Sequence, residues 1–165
     1  MRKLFTAVCV SVLASFAAQC GGGASVSDTS ADVDASAVEA CERLVSFTLP
    51  NVQITSATAI VSGTFSPPMA PGARPLSDAA VAQYAALPSF CRVTATLTPS
   101  DDSDIKAEVW LPESENWNGK LQAVGNGAFT GSHRYGSGRS LSSGLSLGYA
   151  TASSDTGHVG GSASF

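Results

Sequence analysis

Two stretches near the middle of the chain alternate between apolar residues and other types. One reads VTATLT (residues 93–98) and the other reads IKAEVWL (residues 105–111). A period of two is typical of β-strands that bury one face. The polar segment PSDDSD (residues 99–104) lies between them, and Pro112 ends the second stretch. We therefore predict an antiparallel hairpin.

Weaker patterns precede the hairpin. Residues 52–54 and 57–61 are short apolar runs of the strand type. Further on, Ser77 can cap a short helix over residues 79–87, and Pro88 ends it.

The pattern after the hairpin predicts a strand, a helix and a second strand. Residues 120–124 read as a buried strand, Leu141 and Leu145 share one face of a short helix, and residues 149–153 read as a further strand. A hairpin followed by such a unit is how an α/β-hydrolase sheet opens. The predicted fold class is therefore α/β, with the sheet incomplete in this chain.

The segment WNGKLQAVGNGAFTG (residues 117–131) is the clearest chemical feature. Its strand leads directly into Gly125, Asn126 and Gly127. Glycine amides can point at a ligand without interference from a Cβ atom, and the loop after the third strand of an α/β-hydrolase donates an N–H to the oxyanion hole. Gly127 and Ala128 are therefore candidate oxyanion donors. The alternative is a glycine-rich turn that binds nothing.

The N-terminus has the form of a secretory signal peptide over residues 1–19. Arg2 and Lys3 supply the positive charge, and the apolar run of residues 4–18 is shorter than the ~20 residues of a membrane span. A signal anchor is the alternative. The chain is therefore expected to be exported, as a periplasmic, outer-membrane or extracellular protein.

Cys20 is a candidate for lipidation. It follows Ala-Ala-Gln and precedes three glycines, which resembles a bacterial lipoprotein cleavage site, although Gln19 departs from the small residue expected there. Ordinary cleavage near Ala18 or Ala24 remains open. Lipid on Cys20 would tether the protein to a membrane. Residues 20–40, rich in Gly, Ser and Asp, are predicted to be a flexible linker to a domain over residues 41–165.

The net charge and the cysteine content narrow the class of protein and its expected partners further. The formal net charge is −4 and no basic cluster follows Lys3, so nucleic acid is not an expected partner. Cys41 and Cys91 are the cysteines left in the domain, and in an oxidising compartment they most simply pair. Other pairings stay open if a longer protein carries more cysteines. Their spacing matches no metal signature.

Four motifs stand in one order along the domain: LPSFCRV (87–93), IKAEVWLP (105–112), the glycine-rich segment above, and GYATASSDTGH (148–158). Together they resemble the opening of the tannase and feruloyl esterase family, which includes the enzyme that hydrolyses mono(2-hydroxyethyl) terephthalate. The resemblance covers about residues 41–165.

The resemblance implies a secreted serine esterase with an α/β-hydrolase core. It implies a disulfide between Cys41 and Cys91, and a lid domain, often with a structural calcium, that this chain lacks. The nucleophile in a C-S-x-G-G segment, the acid and the base are all expected downstream of Phe165. No cofactor or metal is therefore expected in this chain, and the chain alone is expected to be inactive.

Asn126, Asp155 and His158 are candidate pocket-shaping residues. Asp155 and His158 lie three apart on one loop, whereas the triad members of a hydrolase are spread over the sheet. We therefore expect them to shape the pocket or to bond neighbouring loops. His133 is expected at the surface, with contact to substrate as the alternative.

The functional hypothesis is the N-terminal part of an exported serine esterase that acts on an aromatic carboxylic ester of the feruloyl or galloyl type. The alternative is a secreted or lipid-anchored β-rich binding module without catalytic activity. The sequence does not identify the ester, because the lid residues that separate such substrates are not in it.

Overall fold

Nine elements of secondary structure form the part of the chain that the computed structural model describes, residues 29–69 and 72–161. In chain order they are α1 (Thr29–Glu42), a 3-10 helix (Arg43–Ser46), β1 (Val52–Ile60), α2 (Asp78–Ala85), β2 (Phe90–Leu97), β3 (Ile105–Pro112), β4 (Leu121–Val124), α3 (Leu141–Ser146) and β5 (Ala150–Ser154).

The five strands form one mixed sheet in the order β1-β2-β3-β5-β4. Strands β2 and β3 are the predicted hairpin, paired from Phe90 with Pro112 to Leu97 with Ile105. The chain then passes through β4 and α3, and β5 inserts between β3 and β4, antiparallel to the first and parallel to the second. The α/β fold class and the strand–helix–strand unit are confirmed.

Strand β1 differs from the sequence-based expectation. It is one strand of nine residues rather than two short runs, and it pairs with β2 through a register shift between Ile54 and Ser56. The shift explains why two apolar runs flank the polar pair Thr55-Ser56. The hydroxyl groups of Thr55 and Ser56 both lie within 2.8 Å of the Thr94 hydroxyl.

The N-terminal boundary of the fold also differs. Residues 20–40 were expected to be a flexible linker, but α1 begins at Thr29. Alanine is the strongest helix former, and the helix contains four alanines. The signal peptide, Cys20 and residues 21–28 lie outside the described residues. Within residues 29–69 and 72–161, no helix combines the length and the apolar character that crossing a membrane requires.

A disulfide fixes α1 to the sheet. Cys41, in the last turn of α1, is bonded to Cys91 of β2, as expected from the sequence. Cys41 is buried, and the helix also packs against β1. The N-terminal helix is therefore part of the domain.

Hydroxyl side chains cap both later helices. Ser77 accepts a hydrogen bond from the amide of Ala80 at the start of α2, as predicted. At α3, Ser140 and Ser143 form a reciprocal capping box, in which each hydroxyl accepts from the backbone amide of the other. These serines therefore stabilise the first turns of the two helices.

The core is aromatic and lies on one face of the sheet, under α2, α3 and the segment before α2. Trp110 of β3 is completely buried at its centre, with ring centroids 4.6 Å from both Phe65 and Phe90. The other buried members of this cluster are Tyr84, Leu87, Leu141 and Leu145. The parallel pairing of β4 with β5 places the ends of these two strands beside each other at one edge of the sheet.

Candidate functional site at the ends of strands β4 and β5

Two loops meet where the parallel strands β4 and β5 end. One follows Val124 and runs to α3, and the other follows Ser154. In open α/β sheets, ligands bind outside the carboxyl ends of the strands. The glycine-rich segment predicted as the functional loop therefore lies at the expected position in the fold.

The candidate oxyanion donors are exposed at the tip of the first loop. Between residues 29 and 161, excluding the two undescribed positions, no hydrogen bond uses the amide of Gly127 or Ala128 as its donor. A Cβ atom built on Gly127 meets nothing within 4 Å. Both amides are therefore exposed and donate no hydrogen bond within the described chain, which leaves them available to an incoming oxygen atom.

The same segment has a strained turn. Ala128 has a positive φ of 50°, a conformation that is uncommon for residues with a Cβ atom. The amide of Thr130 donates to the carbonyl of Gly127 at 3.2 Å and closes the turn. Strain of this kind persists where surrounding contacts hold the backbone.

Those contacts come from the second loop. The Asn126 side-chain amide donates to the carbonyl of Ser154 at 2.7 Å. The His158 ring donates from Nε2 to the carbonyl of Phe129 at 3.0 Å, and the amide of Gly131 donates to the carbonyl of Gly160 at 2.6 Å. The pocket-shaping candidates Asn126 and His158 are thus brought together around Gly127 and Ala128.

Asp155 holds the second loop itself. Its buried carboxylate accepts hydrogen bonds from the amides of Lys106 and Gly157, both at 2.9 Å. Its own amide donates to the carbonyl of Lys106. Asp155 therefore anchors the turn after β5 to the neighbouring strand β3, which is a structural arrangement rather than the geometry of a triad acid.

A buried ionic network that the sequence did not reveal lies on the core face of the sheet. The carboxylate of Glu108, with 2% of its surface exposed, accepts hydrogen bonds from three side chains. These are Arg92 on β2, Trp110 at 3.0 Å and the hydroxyl of Tyr135 at 2.8 Å. Tyr135 belongs to the loop between β4 and α3, so the network joins that loop to the centre of the sheet.

Burial and the charge of Glu108 shift the pKa values of Tyr135 and Arg92 in this network. Burial raises the pKa of the Tyr135 phenol, and the negative charge of Glu108 and its hydrogen bond raise it further. For Arg92, burial alone would lower the pKa, but the hydrogen bond to Glu108 and its charge raise it. Glu108 therefore holds a neutral phenol and a guanidinium beside it.

The alternating pattern of β3 does not indicate correctly which face of the strand is the more buried. Apolar residues 105, 107, 109 and 111 suggested the buried side, yet the most buried residues are Glu108 and Trp110. Three hydrogen-bond donors around the carboxylate offset the cost of burying it. The one available sequence signal was a charged residue, Glu108, in the middle of a strand. In the sheet it lies diagonally opposite Arg92 of β2.

His133 is half-buried, and its ring centroid lies 5.8 Å from that of Tyr135. Its Nδ1 atom is buried without a hydrogen-bond partner among the described residues. The expectation of a surface position is therefore only partly met, because the ring is half-buried and lies beside Tyr135.

The structure offers no clear metal position in its described ranges: no group of three or more His, Cys, Asp or Glu side chains there could hold an ion. A cavity of about 640 Å³ lies away from the candidate site. It is an apolar cleft between α1 and the strand ends near the disulfide.

Comparison with known proteins agrees with the motif-based resemblance. Residues 91–165 match the model of the family described as tannase and feruloyl esterase. The chain is 42% identical over 124 residues to an uncharacterized esterase of Xanthomonas campestris pv. campestris, covering 75% of this chain and 19% of that protein. It is 30% identical to a probable feruloyl esterase B-1 of Neosartorya fischeri, over 68% of this chain and 20% of the relative.

A solved structure shares the fold. The crystal structure of feruloyl esterase B from Aspergillus oryzae superposes with a TM-score of 0.60 at 26% identity, covering 77% of this chain and 23% of that one. The chain thus spans about a fifth of the length of the curated relatives it matches. The sequence motifs, the sheet order and these matches lead to one assignment: residues 91–165 are part of a tannase and feruloyl esterase domain, and the chain carries an N-terminal portion of an α/β-hydrolase-like fold.

Proposed function

We propose that this chain is the N-terminal, oxyanion-binding part of an exported serine esterase that hydrolyses aromatic carboxylic esters of the feruloyl or galloyl type. The observation that carries the proposal is the pair of unbonded amides at Gly127 and Ala128, at the end of β4. The esterase names of the relatives support the reaction class.

The proposed chemistry divides between this chain and residues beyond it. A serine in a downstream C-S-x-G-G segment attacks the ester carbonyl, assisted by a downstream histidine and acid. The carbonyl oxygen becomes a tetrahedral oxyanion. The amide of Gly127 or that of Ala128 stabilises the negative charge by hydrogen bonding, and one such donor lowers the barrier by about 3–4 kcal/mol.

Preorganisation is what the described residues contribute. A donor lowers the barrier most when it is already aimed before the charge develops, because no reorganisation is then needed. Asn126 holds the segment before the two amides, and the contacts of Phe129 and Gly131 hold it after them. The loop is thus supported on both sides while its tip stays open.

Export and attachment are part of the same proposal. We propose that residues 1–19 direct secretion and that lipid on Cys20, where it is added, tethers the enzyme to a membrane. Calcium is assigned to the lid of the complete enzyme and not to this chain.

The experiment compares two proteins on methyl ferulate and methyl gallate. The 165-residue chain should hydrolyse neither ester faster than buffer does. Protein from the complete reading frame should hydrolyse at least one of them, and a covalent serine inhibitor should abolish the activity. Inhibitor-sensitive turnover by the 165-residue chain would overturn the division of roles, and binding without hydrolysis by the complete protein would favour a binding module.

A pair of substitutions at Gly127 tests its amide directly in the complete protein. Gly127→Ala retains the N–H and meets open space, so kcat should change little. Gly127→Pro removes the N–H, and kcat should fall by about 10²–10³. Far-ultraviolet circular dichroism checks that both variants fold. Equal kcat values for the two folded variants would remove Gly127 from the oxyanion role.

A further inference from the structure

The two loops at the site touch so closely that their contact depends on a missing side chain. A Cβ atom built on Gly131 would lie 2.1 Å from the carbonyl oxygen of His158 and 2.8 Å from its ring. Gly131 also forms an isolated antiparallel bridge with Gly160. The backbone of the second loop therefore runs directly against the end of the glycine-rich segment.

The His158 ring is fixed at both of its nitrogen atoms. The carbonyl oxygen of Phe129 can only accept a hydrogen bond, so Nε2 carries a proton and donates to it at 3.0 Å. On the other side of the ring, Nδ1 lies 3.1 Å from the hydroxyl oxygen of Thr156. That hydroxyl also lies 2.6 Å from the carbonyl oxygen of Asp155, whose side chain is anchored to β3. The ring is thus held by a loop that is itself held by the sheet.

Burial does little to hold the segment that the ring contacts. The Phe129 side chain is 53% exposed, and residues 127–130 are all exposed. A segment with few buried contacts keeps its conformation mainly through its hydrogen bonds. The positive φ of Ala128 makes this dependence stronger, because that strained conformation relaxes when its restraints are removed.

We propose that His158 is a positioning residue, which fixes the carbonyl of Phe129 and thereby aims the amides of Gly127 and Ala128. It acts through the backbone and does not touch the substrate. Its consequence for catalysis rests on the proposed oxyanion role, whereas its consequence for loop conformation does not.

The structural test uses hydrogen exchange in the 165-residue chain. His158→Ala removes the donor, and exchange of the Thr130 amide, which donates to the carbonyl of Gly127, should accelerate by about tenfold or more. His158→Gln places a side-chain amide near the position of Nε2, and it should restore part of the protection. His133→Gln is the matched control, because that ring makes no hydrogen bond to residues 126–130. It should leave their exchange unchanged.

Far-ultraviolet circular dichroism checks that each variant folds. A folded His158→Ala variant whose Thr130 amide exchanges at the wild-type rate would overturn the proposal. Acceleration spread evenly over the whole sheet would overturn it as well, because it would show general destabilisation rather than a local restraint.

The kinetic test uses the complete protein with methyl ferulate or methyl gallate. Misaimed donors weaken binding of the transition state only, so His158→Ala should lower kcat by about 10–100-fold with KM nearly unchanged. The Gln variant should recover part of kcat. Faster exchange together with unchanged kcat would uphold the restraint and overturn the oxyanion role of the two amides, so the two proposals fail separately.

Discussion

The hydroxyl of Tyr135 donates a hydrogen bond to the carboxylate of Glu108 at 2.8 Å, and this contact joins the loop after β4 to the middle of β3. The backbone continues the connection, because the carbonyl of Tyr135 accepts from the amide of Ser142 in α3. One residue of the loop is therefore bonded to the sheet and to the helix at once. The glycine-rich tip is exposed, but the part of the loop that precedes α3 is rigidly held.

Removal of Glu108 should destabilise the domain strongly. Glu108→Ala leaves the partly buried Arg92 guanidinium without its counter-ion, and breaking a buried pair costs about 3–5 kcal/mol. Tyr135→Phe removes one hydrogen bond to a charged group and should cost about 1.5–3 kcal/mol. Urea unfolding of the 165-residue chain measures both free energies.

The chain offers an exposed ion pair as the control for that comparison. Glu39 of α1 pairs at 2.9 Å with Arg43, the first residue of the 3-10 helix, and both side chains are exposed. Glu39→Ala should change the free energy of unfolding by less than about 1 kcal/mol, because exposed pairs contribute little. If Glu108→Ala were no more destabilising than Glu39→Ala, the buried network would not support the fold.

Alkaline pH should weaken the same network. Burial and the charge of Glu108 raise the pKa of Tyr135 in the folded state above the ordinary value of 10.0. The folded state therefore binds the phenolic proton more tightly than the unfolded state. The resulting stability is fully present below pH 10 and is lost as pH rises above it toward the folded pKa.

The check is the free energy of unfolding measured from pH 8 to pH 12. The wild-type curve should fall above about pH 10, and Tyr135→Phe should fall less steeply. Burial also raises the pKa of Tyr84, so the variant should keep a residual slope. Parallel curves for the two proteins would show that ionisation of Tyr135 is not linked to unfolding.

Loss of the disulfide should destabilise the domain and release α1. Cys41 and Cys91 are 50 residues apart in sequence, and the chain-entropy model gives a stabilisation of about 4 kcal/mol for a loop of that length. The double variant Cys41→Ser, Cys91→Ser should therefore unfold at lower urea concentration. Hydrogen exchange should also accelerate in α1 more than in β3. Uniform exchange over both elements would show that the disulfide does not hold the helix in particular.

Local signals explain which parts of the fold were predictable. The period of two gave the hairpin, Ser77 with Pro88 gave α2, and both depend on residues close in sequence. The first amino acids of α1 were assigned to a linker because their composition is polar. Their helix is stabilised by a bond to Cys91, which is distant in sequence.

The position of the glycine-rich loop was predictable, but the contacts that support it were not. Glycines after a strand indicated the loop, because a backbone that approaches a ligand needs residues without a Cβ atom. The contact of His158 with Phe129 and that of Glu108 with Tyr135 join residues 29 and 27 positions apart. No pattern of period or spacing encodes such pairs, since they arise only when the sheet order brings the two loops together.

Gly131→Ala should separate the two loops of the candidate site. The new Cβ atom would lie 2.1 Å from a backbone oxygen of His158, and backbone atoms cannot rotate away as a flexible side chain can. Overpacking of this kind costs about 1–3 kcal/mol. We expect the amide of Gly131, which donates to Gly160, to lose protection from hydrogen exchange.

The control for this variant is Gly125→Ala on the same loop. Nothing lies within 4 Å of a Cβ atom built there, and its φ is not in the left-handed region. Its free energy of unfolding should stay within about 0.5 kcal/mol of wild type. If Gly131→Ala were equally well tolerated, with the Gly131 amide still protected, the close approach of the loops would not be needed to hold them together. His158 would then have to hold the glycine-rich segment without that contact.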